Sequence, residues 1–289
     1  MSSPREIFHA LQSRPDPGLL AAWDRAPVRD LLAPLATYGG WRRETYVFGD
    51  LLEQAYALSR LSDVLLLGFQ PPLPAGATVP YAHTLHLDAD WPRITVDQYL
   101  STFAALGLTP IPPAPFDPFF HEIVAVEQTA DPASPIEIVE VVWPGLLLGD
   151  LLFSRSGVRI RAGAHNAVAG VADRSTLHDV FLRRHRDTSD GSFGWGHNSQ
   201  WKTDFRRDYL TPDTYHFNVD ADFNLDDGID PSAPDADALH AARLNGGFDP
   251  LDDLRTLIRH RCLVRPPIST PDPETFSVSS YRLSWPRLH

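Results

Sequence analysis

Two stretches of the chain carry side chains suited to chemistry. In His86-Leu87-Asp88 an imidazole and a carboxylate stand two positions apart. On an extended strand they share one face with Cα atoms roughly 6.6 Å apart, close enough to converge on one ion. In Gly194-Trp195-Gly196-His197-Asn198-Ser199-Gln200-Trp201 another imidazole, two amides and a hydroxyl sit among glycines and tryptophans. Glycine lets the backbone approach a ligand closely, and binding groups concentrate on loops held by a rigid scaffold. Arg207 follows His197 by ten positions and shares a strand face with Trp201, Thr203, Phe205 and Tyr209. A guanidinium on an aromatic face calls for an anion, and its planar fork matches a carboxylate.

His86, Asp88 and His197 together make a ligand set of two imidazoles and one carboxylate, which leaves positions open on a divalent metal such as iron(II). The spacing resembles that of the iron/2-oxoglutarate oxygenases, over four residues. The resemblance implies 2-oxoglutarate as co-substrate, its carboxylate held by Arg207, with Trp195 and Gln200 against the substrate. The expected function is therefore a small-molecule enzyme using a divalent metal, an oxidoreductase in its most specific form. Two further resemblances share Asp88. Asp88-Ala89-Asp90 is similar to the metal-binding Asp-x-Asp of sugar-nucleotide glycosyltransferases, but the first sixty residues read as helices instead of that family's βαβ start. The same pair resembles the nucleophile and acid/base of haloacid-dehalogenase-like phosphatases, although Pro92 stands at the fifth position of that motif. The plain alternative is a polar strand face meeting water, with His197 an ordinary turn histidine.

Other candidates are weaker. His121 and Glu122 are adjacent on a strand and face opposite ways. Glu122 falls beside Phe120, Val124 and Val126 and needs a partner there, for which Arg159 and Arg161 are the candidates. His165 follows that second strand as a reserve metal ligand. Cys262 has basic neighbours but sits at a helix C-terminal end, and reads as a small buried hydrophobe. The loop from Asp220 to Gly228 lacks the sixth-position glycine and twelfth-position glutamate of a calcium loop.

Composition narrows the classes. The chain has 289 residues, 37 acidic against 25 basic, and a formal net charge of -12. That balance argues against a phosphate-neutralising nucleic-acid binder. It fits a competing function: an acidic, non-enzymatic interaction protein, an immunity or regulatory factor, binding a basic partner protein. A single cysteine gives no internal disulfide. No run approaches the ~18 apolar residues of a membrane span, and the first residues lack a secretory pattern. The expected location is cytoplasmic.

The elements that must position these residues are marked by caps and alternation. Ser3-Pro4-Arg5-Glu6, Thr95-Val96-Asp97-Gln98 and Ser134-Pro135-Ile136-Glu137 carry helix-start signals. They predict helices near 4–12, 96–106 and 135–143, joined by others near 17–36, 49–60, 176–186 and 250–261. Gly107 is placed to end the helix that starts after Thr95, in a left-handed turn. Period-2 alternation predicts strands at 63–69, 78–88, 120–127, 157–162, 200–209 and 215–219. The last two form a hairpin with one face buried, turning through Thr211-Pro212-Asp213-Thr214. Helices and strands interleave without a βαβ rhythm, which predicts an α+β fold. One globular domain, 1–289, is expected, with a mostly helical portion at 1–60, a mainly antiparallel sheet within 61–289, and peripheral helices.

Overall fold

The computed structural model describes residues 3–42, 50–70, 91–173, 205–233, 236, 250–266 and 280–287. The fold is α+β, and most strand pairs are antiparallel. Contacts divide the chain into two compact units, each assembled from three separate stretches.

The first unit takes residues 1–111, 143–154 and 182–205. Helix α1 (Pro4–Ser13) begins at the expected capping box, in which Ser3 and Glu6 each satisfy the other's backbone donor. Its buried Ile7, Phe8 and Leu11 pack on α4 (Asp50–Leu65). The helix expected over 17–36 is instead three short pieces: α2 (Gly18–Ala21), α3 (Ala26–Leu32) and a 3-10 turn (Ala33–Ala36). Pro27 and Pro34 each begin a new piece, because proline cannot donate within a helix and disfavours helix before it. The strand expected at 63–69 is also corrected, since α4 runs through Leu65 and turns follow. The apolar run hid a helical stripe, for Leu58, Leu61, Ser62 and Leu65 are all buried at helical spacing.

Helix α5 (Val96–Ala104) has the expected Thr95/Gln98 capping box. Gly107 ends it at φ 87°, where Leu108 N donates to Phe103 O at 3.1 Å. Strands β1 (Thr109–Pro110), β4 (Leu146–Leu148) and β5 (Leu151–Ser154) pair antiparallel in that order. Between β4 and β5, Gly149 turns at φ 56° under Ala36, whose carbonyl accepts from Asp150 N at 2.7 Å.

The second unit takes residues 112–142, 155–181 and 206–289. One of its sheets has the order β2 (His121–Gln128), β6 (Ser156–Ala162), β3 (Glu137–Trp143). Strands β2 and β6 run parallel, with a bulge between Ile123 and Ala125. Their inner residues Ile123, Val158, Ile160 and Ala162 form the core with Ala167 and Ala172. The helix expected at 135–143 is β3. Ile136, Ile138, Val139, Val141 and Val142 are β-branched and stiff at χ1, which favours the pleated sheet over the cap signal at Ser134.

The second group of strands in this unit is β7 (Asp208–Leu210), β8 (Thr214–Phe217), β10 (Tyr281–Pro286) and β9 (Phe223–Asn224), neighbours in that order. Of the predicted hairpin over 200–209 and 215–219, the turn end is present, with Tyr209 opposite His216 and Thr211 N donating to Thr214 O at 2.8 Å; 205–207 precede the strand, and 200–204 lie outside the described residues. Its exposure is not as expected. Phe205, Arg206, Arg207, Asp208 and Tyr209 are all buried, so the polar face is as covered as the aromatic one. Helix α6 (Pro250–His260) ends in Arg259 and His260, and Arg261 follows at φ 56°. Among the described residues no helix is long and apolar enough to cross a membrane.

Candidate functional site

Five of the six predicted site residues, His86, Asp88, Trp195, His197 and Gln200, lie outside the described residues. So do the predicted strand at 78–88 and the predicted helix at 176–186. The sixth, Arg207, is buried at 3% exposure. Its Nε donates to Asp220 Oδ2 at 2.7 Å, its Nη2 donates to Asp220 Oδ1, and its Nη1 donates to the Tyr209 hydroxyl at 3.1 Å. The anion required on that aromatic face is thus Asp220. Burial works against the charge of Arg207, but the forked carboxylate outweighs it and holds its pKa above the ordinary value.

The residue beside it leads to a different cluster. Asp208, 1% exposed, accepts from Arg206 Nε at 2.7 Å and from Asn218 N at 2.7 Å on Oδ1, and from Arg155 Nη2 at 3.2 Å on Oδ2. Burial opposes its ionisation, yet Arg206, Arg155 and Arg261 together hold its carboxyl below the usual range. Arg155 has no exposed surface, and its Nε donates to Pro118 O at 2.9 Å. Arg206 also donates from Nη2 to Ile258 O at 2.7 Å. Burial lowers the pKa of Arg261 well below its ordinary value, and the like charges of Arg155 and Arg206 lower it further.

Three guanidinium groups therefore crowd around one buried carboxylate. Glu122, from β2, is close enough to Arg155 and Arg261 to favour their charges. This corrects the expected pairing, because Arg159 bonds Glu140 at 3.2 Å and Arg161 bonds Glu127 at 3.0 Å. Among the described residues, Asp208 and Glu122 are the carboxylates that favour the charges of these arginines, inside a chain whose net charge is -12. The two non-glycine residues with left-handed backbones among the described residues, Asn218 and Arg261, both belong to this cluster. Such conformations cost energy and persist where the surroundings enforce them.

A ring-lined group adjoins it. His260 lies on Phe116 with ring centroids 6.3 Å apart, and Phe116 lies on His121 at 5.8 Å. Burial, then Arg259 and Arg155, push the His260 imidazole down to about 3, so it is neutral at ordinary pH. His121 Nδ1 lies 3.0 Å from both the backbone N and O of Asp117, and burial lowers its pKa. The Tyr215 hydroxyl donates to Asp117 Oδ2 at 2.6 Å. Burial and that carboxylate push the phenol up to about 12. The guanidinium of Arg259 stacks 3.7 Å from the ring centroid of Trp285. Cys262 is buried, as expected, and burial raises its thiol pKa far above the reactive range.

No family model matches this chain, nor does any curated protein or solved structure. Function must therefore be argued from the site itself.

Among the described residues no group of three or more His, Cys, Asp or Glu side chains is arranged to hold a metal ion. His165, the reserve ligand, is exposed. The chemistry within the described site is cationic: it can hold an oxyanion, stabilise developing negative charge, and keep nearby imidazoles neutral. One of its pairs was visible in the sequence. Arg206 and Asp208 stand two apart, at the start of β7, with the same spacing that singled out His86 and Asp88. Nothing local marked Arg155 or Arg261.

Proposed function

We propose that this protein is a small-molecule enzyme acting on an anionic substrate with the help of a divalent metal. The observation that carries the reading is the gathering of guanidinium groups around Asp208, with buried donors of Arg206 and Arg261 that find no acceptor among the described residues. Burying a donor without an acceptor is costly, and a negatively charged substrate removes that cost when it binds. The metal is assigned to His86, Asp88 and His197 on their residue types and spacing, with Trp195 and Gln200 against the substrate. Iron(II) with 2-oxoglutarate is the most specific form of the proposal. A 2-oxoglutarate carboxylate would find its guanidinium in this cluster in place of Arg207, whose fork is filled by Asp220. Elemental analysis of purified protein, beside His86→Ala and His197→Ala, tests the metal. Stoichiometric metal lost in both variants supports it, and equally negligible metal in all three samples removes it.

A second reading draws on the surface. The net charge of -12 and the exposed Asp222, Asp226 and Asp227 favour encounter with a basic partner protein. Salt-sensitive, stoichiometric capture of one basic protein, with no metal bound, would favour that reading over the enzyme.

A further inference from the structure

We propose that Arg206 and Arg261 form an oxyanion-binding site, gripping the carboxylate or phosphate group of a small molecule beside Asp208. This rests on the anionic-substrate reading and names the groups that hold the charge. Arg206 commits Nε to Asp208 and Nη2 to Ile258 O, which leaves Nη1 buried and without a hydrogen-bond partner among the described residues. The Nε of Arg261 is likewise buried and without one. Buried polar atoms in native proteins are almost always satisfied, so an orphaned donor asks for a missing acceptor. Here two orphaned donors belong to two guanidinium groups whose charges already act on one another.

The neighbouring residue shows what a closed arginine looks like. Arg207 uses all three of its nitrogens, on Asp220 and Tyr209. Arg206, one position away, has a spare one. The two donors also come from different elements, Arg206 from the segment entering β7 and Arg261 from the turn leaving α6. Arg261 reaches its place only with a left-handed backbone, a conformation that a glycine or asparagine would adopt more cheaply. A carboxylate or phosphate is suited to a guanidinium fork because it presents several acceptor oxygens at once.

Isothermal titration calorimetry at low ionic strength, with inorganic phosphate and separately with 2-oxoglutarate, tests the site on the full chain. One-to-one binding of either probe is expected, weakened about tenfold or more in Arg261→Gln. Arg206→Lys, which keeps the charge but loses the fork, is expected to weaken it as well. Binding of undiminished strength in both variants would overturn the site while leaving an anionic substrate in place elsewhere. No binding of either probe at millimolar concentration would overturn both. Should Arg261→Gln fail to fold, wild-type protein answers the same question through phenylglyoxal modification mapped by mass spectrometry. Slower modification of Arg206 and Arg261 in the presence of the probe supports the site, and an unchanged rate refutes it.

Discussion

Replacing Asp208 with asparagine isolates the charge at the centre of the cluster. Shape is nearly conserved, and the retained amide oxygen still accepts from Arg206 Nε and Asn218 N, both of which bond Oδ1. The change falls on the other side. The new amide donor faces Arg155 Nη2, which now bonds Oδ2 at 3.2 Å, so two donors oppose each other. Arg155, Arg206 and Arg261 lose the carboxylate that compensates them. Removing one partner of a buried ion pair costs about 3–5 kcal/mol, which is roughly 5–8 °C of Tm for a chain of this length. Urea unfolding followed by circular dichroism, repeated across pH, reads both size and origin. Because the folded-state pKa of Asp208 is depressed, its contribution is fully present above the unfolded carboxylate value of about 3.9. It is lost as pH falls through the lower folded value. The gap between wild type and Asp208→Asn should therefore stay level from about pH 5 to 8 and narrow only in strong acid. A gap below about 1 kcal/mol would refute the account. So would one that shrinks as pH rises.

Gly149→Ala should lower stability by about 2–4 kcal/mol. Its backbone is at φ 56°, and an added Cβ would run into the Ala36 carbonyl oxygen; an unchanged denaturant midpoint would contradict that packing. Tyr215→Phe removes the hydroxyl that donates to Asp117 Oδ2 and should cost about 1–2 kcal/mol. Calorimetry measures it, and a neutral result would mean the hydroxyl contributes nothing beyond what water offers.

What could be read in advance was whatever a few neighbouring residues decide. The capping boxes at Ser3 and Thr95 and the left-handed Gly107 depend on four or five consecutive positions, and all three form as expected. Ser134-Pro135-Ile136-Glu137 carries nearly the same letters and became a strand, because its β-branched run was settled by sheet neighbours distant in sequence. The strand expected at 63–69 failed for the opposite reason, as an apolar run too short to show its helical period. The cluster around Asp208 was harder still. It draws on positions 122, 155, 206, 208 and 261, and only Arg206-x-Asp208 is local. Alternation puts that pair on one face of a strand; Arg206 lies just before β7 and its Nε bonds Asp208 Oδ1, but alternation does not reveal whether a polar face meets water or other charges.

The six-stretch division of the chain into two units has a consequence for how the protein is made. Synthesis proceeds at about 5–20 residues per second from the N-terminus, and neither unit can be completed from an early, uninterrupted length. The first lacks its last stretch until residue 205 has emerged, and the second still lacks its last eighty or so at that moment. Until residue 205 has emerged both units are incomplete, and from then on only the second still waits for chain. Splitting the gene anywhere from residue 112 to residue 204 would divide both units between the fragments, whereas a cut after residue 205 would leave all three stretches of the first unit on one fragment.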